Sequence, residues 1–191
     1  GLGKGDWERI NDHTTNTLIQ RGDVIYFSPL PGTDGHGLLV LKPFAQLPWE
    51  DMQGVVLAGT DAKHDVTEGC TMMFSSIRVA TDKGWFPGAV WLAKIEDTYS
   101  LERAFKACLE TFPCSDKACT HPATTKWYQR PDGAWVYQKY LECSPADAGK
   151  RVIMCQDKHA PSFAACKRAG FLMVLLDNFH GMRAWNVVYI T

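Results

Sequence analysis

Apolar and polar positions alternate over short stretches of this chain, and the breaks between stretches carry glycine, proline and asparagine. The segment up to Gln20 is polar with little to bury and reads as an N-terminal arm or loop over residues 1–20, ahead of a single domain over 21–191. Val24-Ile25-Tyr26-Phe27 predicts a short strand, broken by the turn residues Ser28 to Gly35. Leu38-Leu39-Val40-Leu41 predicts its hairpin partner, with His36 where that second strand begins. Further strands are expected at Val55 to Ala58 and at Ala89 to Ile95.

The clearest helix follows. Ser100 is expected to cap it, and Leu101, Ala104, Phe105, Cys108, Leu109 and Phe112 recur at the spacing of one buried helical face, with Glu102 and Lys106 paired on the other. Residues 127–141 predict a β-hairpin, Trp135, Tyr137, Lys139 and Leu141 alternating with Val136, Gln138 and Tyr140 beyond a turn at Arg130 to Gly133. Its aromatics suit a half-buried sheet as well as a sugar or base. Pro161 to Arg168 looks helical, and Phe171 to Leu176 and Ala184 to Ile190 predict two buried neighbouring strands.

Composition narrows the class. A 191-residue chain with 46% hydrophobic and 12% aromatic residues can bury a sizeable core without metal or disulfides, and neither an internal repeat nor a linker divides it. Twenty basic against twenty-one acidic side chains give a formal charge of -1, so no bulk charge draws it to nucleic acid or an anionic membrane. The longest apolar run, Gly170 to Leu176, is far short of the roughly 20 residues needed for a membrane span. Residues 1–9 lack the apolar core of a secretory signal, so a signal is expected to be absent or already removed, and Gly1 fits a processed start. Seven cysteines exceed the background of an ordinary cytosolic domain. They leave the compartment open, with secretion or delivery outside the producing cytosol as the favoured reading.

Chemistry enters with Gln20-Arg21-Gly22-Asp23-Val24-Ile25-Tyr26-Phe27 and, after the loop, Gly35-His36-Gly37-Leu38-Leu39-Val40. This pair resembles the G-D-hydrophobic-hydrophobic-F and G-H-hydrophobic strands of NlpC/P60-type cysteine peptidases and amidases. In most of that group the nucleophilic cysteine precedes the pair, but no cysteine occurs here before position 70. The resemblance is therefore to the circularly permuted branch, which includes lecithin-retinol-acyltransferase-like proteins and places the histidine first. In that branch the cysteine is followed by Ser at a helix start, and Tyr140-Leu141-Glu142-Cys143-Ser144-Pro145 resembles this. Ser144 as N-cap and Pro145 as first helical residue would set Cys143 beside the positive end of a helix dipole, which favours thiolate. The resemblance implies Cys143 as nucleophile and His36 as base and then acid. The residue that orients His36 is not identified; Asp34, Glu50 and His64 are near it in sequence.

Two other constellations compete. Glu68-Gly69-Cys70-Thr71-Met72-Met73-Phe74 resembles the papain-like pattern in which Cys opens a helix, and Phe179-His180-Gly181 could supply the histidine with Asn186 to orient it. Equally, Cys70, Phe74 and Ile77 share a helical face and fit a core. Cys114, Cys119 and His121, with Cys155 and His159, could hold zinc, but C-x4-C-x-H is not a strong finger spacing and a disulfide-bearing loop is preferred, so no metal site is expected. Cys166 is a reserve nucleophile. P-loop, dinucleotide, H-E-x-x-H and G-x-S-x-G motifs are absent from the sequence.

The expectation is an α+β fold with a mainly antiparallel sheet and a few packed helices, of permuted papain-like kind. The expected activity is thiol attack on an amide or ester carbonyl of a peptide, peptidoglycan or acyl substrate, with no cofactor. The rival from another class is a non-enzymatic, disulfide-stabilised binding, inhibitor or host-targeting protein.

Overall fold

The hairpin of residues 24–41 forms from the two apolar runs that predict it. In a computed structural model of the protein, residues 4–43, 55–63, 73–81, 84–112, 126–129, 135–138, 151–157 and 159–177 are described. Strands β1 (Val24–Ser28) and β2 (Leu38–Leu41) pair antiparallel, with Phe27 opposite Leu39 and Ser28 opposite Leu38. Leu38 and Val40 bury on one face and Leu39 on the other, while a register shift between Val24 and Tyr26 sends both Ile25 and Tyr26 to the first face. Both faces of this hairpin are covered, which is why its strands read as unbroken apolar runs.

Around it, β3 (Val56–Lys63), β4 (Met73–Thr81), β5 (Gly84–Ala93), β6 (Lys126–Gln129), β7 (Trp135–Gln138), β8 (Val152–Asp157) and β9 (Met173–Asp177) build a sheet of order β6-β7-β1-β2-β5-β4-β3-β8-β9. Pairing is antiparallel except where β8 lies parallel to both β3 and β9. The fold is therefore α+β with a mainly antiparallel sheet, as the sequence predicts. The hairpin expected over 127–141 is borne out by β6 and β7, with Gln129 opposite Trp135.

Helices α2 (Thr98–Leu109) and α3 (Ala160–Ala169) share a core with one face of the sheet. The predicted stripe of α2 is buried along its whole length, with Phe105 fully enclosed and edge-on to Trp91 and Phe171, both at 5.8 Å. Lys106 Nζ meets Glu102 Oε1 at 2.6 Å on the outer side. The cap differs from the expected one. Asp97, three residues before Ser100, accepts the Ser100 N–H at 2.8 Å and starts the helix one turn earlier. Helix α3 ends at Gly170, whose φ of +90° lets its N–H and that of Phe171 close on Cys166 O, a left-handed stop that favours glycine.

The first twenty residues correct the expectation of a polar arm. Helix α1 (Lys4–His13) runs into a wider π turn over Thr14–Leu18, and Trp7 and Ile19 bury with Val24, Phe27, Leu30 and Leu39 in a second, smaller core on the opposite face. Few apolar residues suffice because the patch they cover is small. Residues 73–81, expected as part of a helical face with Cys70, form strand β4, paired with both β3 and β5. The late strand expected over 184–190 lies outside the described residues, and the described neighbour of β9 is β8. Among the described residues no helix is long and apolar enough to cross a membrane.

Candidate active site

His36 sits at the end of a tight loop that the surrounding backbone fixes from several sides. Gly37 N–H donates to Pro31 O at 2.8 Å, and His36 N–H donates to Asp34 Oδ1 at 2.9 Å. A Cβ on Gly37 would meet the Pro29 carbonyl and come within 2.8 Å of Leu30 Cα, so only glycine fits beside the histidine. From the other side Arg103 of α2 donates through Nη2 to the His36 carbonyl and through Nη1 to Tyr26 Oη at 3.3 Å.

The ring is held as firmly as the backbone. His36 Nδ1 lies 3.2 Å from Asp97 Oδ2 and 3.3 Å from Ser100 Oγ, and the ring stands edge-on to Tyr99 at 5.3 Å. Asp97 thus uses one carboxylate oxygen to cap α2 and the other to face the imidazole. A carboxylate at Nδ1 draws the ring proton to that nitrogen, which leaves Nε2 with its lone pair. Nε2 has no hydrogen-bond partner among the described residues. The side chains of His36 and Asp97 are 25% and 37% exposed, so the pair is reachable from solvent. Ser100, by contrast, is 2% exposed, and its hydroxyl supports the ring from beneath rather than meeting a substrate.

The histidine opens on a cleft of about 320 Å³ whose wall includes Tyr26, Asp34, Gly37, Tyr99 and Arg103. Asp34 is held below the ordinary carboxyl value, first by the bond from the His36 N–H and to a lesser degree by the charges of His36 and Arg103. The arrangement offers a basic imidazole nitrogen, an anion behind the ring and a polar cleft in front, which is the equipment of general acid–base chemistry.

Of the residues singled out from sequence, His36 is in this site, and Asp34 lies beside it as part of the loop rather than behind the ring. Cys143, Cys70, His180, Asn186, Glu50, His64, Cys114, Cys119 and His121 lie outside the described residues. The helix expected to follow Cys70 is, from Met73 onward, strand β4, because those residues pair along both edges rather than closing on themselves. The reserve nucleophile Cys166 is fully buried on the inner side of α3, its thiol 3.6 Å from Gln156 Oε1, and burial pushes it up to about 12. A thiol so protonated and enclosed is no nucleophile. Cys155 is half-buried on β8, and His159 faces Glu96 Oε1 at 3.8 Å from the start of α3. No group of three or more His, Cys, Asp or Glu placed to hold a metal occurs among the described residues.

Sequence reasoning did not find Asp97, Tyr99, Ser100 or Arg103 as parts of a site. Asp97-Thr98-Tyr99-Ser100 carries a local signal, an acidic cap three residues ahead of the N–H it accepts, but nothing local ties that cap to a histidine in another element. The chain matches no known protein-family model, no curated protein and no solved structure.

Proposed function

We propose that this chain is a cysteine hydrolase of the permuted NlpC/P60 kind, in which Asp97 orients His36, His36 is the base, and Cys143 is the nucleophile. The observation that supports it best is the 3.2 Å approach of Asp97 Oδ2 to His36 Nδ1, which leaves Nε2 as the proton acceptor beside an open cleft. Nε2 takes the thiol proton, the thiolate attacks an amide or ester carbonyl, and the imidazolium returns the proton to the departing amine or alcohol. Water, deprotonated by the same nitrogen, then releases the acyl group from sulfur. The substrate classes are peptides, peptidoglycan peptides among them, and acyl esters.

The topology sets one demand on this reading. Strand β7 pairs antiparallel with β1, Val136 opposite Tyr26, so the chain leaves β7 at the Val24 end of the sheet while His36 stands beyond the Ser28 end. Ser28 is about 13 Å along the strands from the Gln138 end of β7, His36 lies further on, and β2 is about 10 Å across the sheet from β7. Cys143 is five residues beyond Gln138, a reach of at most about 17 Å, so a Cys143–His36 pair would need nearly all of that reach.

The test compares His36→Ala, Cys143→Ala and the double variant on peptidoglycan fragments and model acyl esters, with unfolding curves to verify folding. Each single change should remove activity on the order of 10²–10⁴-fold, with the double little worse, because members of a catalytic unit are not additive. Cys70→Ala and His180→Ala should keep near-normal rates. Loss of activity in those two with retention in the first pair would instead support the papain-like order. Absence of hydrolysis with every substrate would favour the disulfide-stabilised binding protein.

A further inference from the structure

Arg103 lines the cleft in front of His36, where its charge is felt by the Asp34 carboxylate of the same wall. Among the described residues its guanidinium makes no ion pair within salt-bridge distance, and its hydrogen bonds go to the His36 carbonyl and the Tyr26 hydroxyl. Nε is buried without a hydrogen-bond partner. The group is stacked on Tyr99 at 4.3 Å and flanked by Tyr26 at 5.7 Å, so its plane is fixed rather than swinging in solvent. Each Nη carries two N–H bonds and uses one of them on these acceptors, so the half-buried guanidinium keeps donors for an anion that enters the cleft.

We propose that Arg103 makes this cleft a carboxylate-binding site, so that the substrate carries a carboxylate close to the bond presented to His36. The inference takes the cleft as the substrate site of the hydrolase described above. Three features favour a carboxylate over a more highly charged anion. A planar guanidinium matches a planar carboxylate. Asp34, in the same wall, is ionised and repels a dianion such as phosphate more than a monoanion. Tyr99, which lines the cleft and is 53% exposed, offers the part of its ring not covered by Arg103 to the carbon chain that joins carboxylate to scissile group. An acidic residue of a peptide, or the free carboxyl terminus beside a scissile amide, meets these requirements; a neutral lipid ester does not.

The probes are acetyl-glutamate amide and acetyl-glutamine amide, which differ in one ionised group, and inorganic phosphate. Binding is read from the ring signals of His36 and Tyr99 by NMR in the full-length Cys143→Ala protein, which does not depend on turnover. The glutamate probe should shift both residues saturably and bind on the order of tenfold more tightly than the glutamine probe, as expected for a charge-assisted pair. Arg103→Gln should erase that difference while the His36 signals still report a folded loop. Because Arg103 also supports the His36 carbonyl, the comparison of the two probes on Arg103-containing protein stands by itself if the variant does not fold. Equal binding of the two probes would overturn the proposal, and so would phosphate shifting the same signals at lower concentration than the glutamate probe. Selective binding without hydrolysis of any acidic substrate would count against the hydrolase alone, whereas hydrolysis indifferent to the carboxylate would count against this assignment alone.

Discussion

Asn11 closes on Leu30 with both ends of its amide: Nδ2 donates to the Leu30 carbonyl at 2.7 Å, and Oδ1 accepts the Leu30 N–H at 2.8 Å. A residue of the first helix therefore fixes the entry of the loop that carries His36, six positions further on. Asn11→Ala leaves both backbone groups of a buried residue unsatisfied and should cost about 1–3 kcal/mol. Urea unfolding measures the loss, and exchange of the Gly37 amide should quicken with it. A variant as stable as the parent, with unchanged exchange, would mean that the loop holds itself.

Phe105→Ala should cost roughly 3–5 kcal/mol, the range for emptying a fully packed aromatic site. Phe105 touches both Trp91 of β5 and Phe171 beyond α3, so the cavity lies where helices and sheet meet. A loss below about one kcal/mol on denaturation would contradict that packing.

Cys108 and Cys166 should both resist a thiol reagent at neutral pH in the native protein and react on unfolding. Each is completely buried, and burial raises both thiols, Cys166 to about 12 and Cys108 further. Thiol counting with and without urea, resolved by peptide mapping, decides it. Rapid native labelling of either one would show that the α2–α3 layer opens.

Asp34 supplies a test in acid. Its carboxyl is depressed in the folded chain from an ordinary value of 3.8, chiefly by the His36 N–H. A depressed carboxyl contributes stability that is fully present above its unfolded value and is lost as pH falls through the folded one. Asp34→Asn should therefore unfold more easily than the parent at neutral pH, and the two unfolding midpoints should converge as pH drops below 3.8. A gap that stays constant with pH would show that the charge contributes nothing.

Where periodicity is strong, residues and structure agree. The stripe from Leu101 to Phe112 and the apolar runs of β1 and β2 each bury enough surface to be visible in one segment. The failures have a common physical cause, which is burial shared among distant elements. Trp7 and Ile19 complete a small core whose other members belong to the hairpin, so α1 shows little amphipathic signal of its own. Phe74 and Ile77 stand three apart and look helical, yet two long strand partners decide their conformation. Ser100 was a reasonable cap by type, but Asp97 takes that role, and the serine hydroxyl turns to His36 instead. For the site, the histidine was legible from its strand-pair pattern, whereas its carboxylate partner is 61 positions away and only the packing of α2 over β2 brings them together.

The double duty of Asp97 links two properties that are usually separable. Unwinding the first turn of α2 frees Oδ1 and loosens the backbone that aims Oδ2, so a frayed helix end and a misdirected imidazole become one event. The Ser100 amide proton is consequently a gauge of that contact: the fraction of time it is protected from exchange bounds the fraction of time Asp97 holds the His36 ring. Anything that stiffens that turn, a neighbour seated against Tyr99 included, would raise the population in which the ring is held, without touching the histidine.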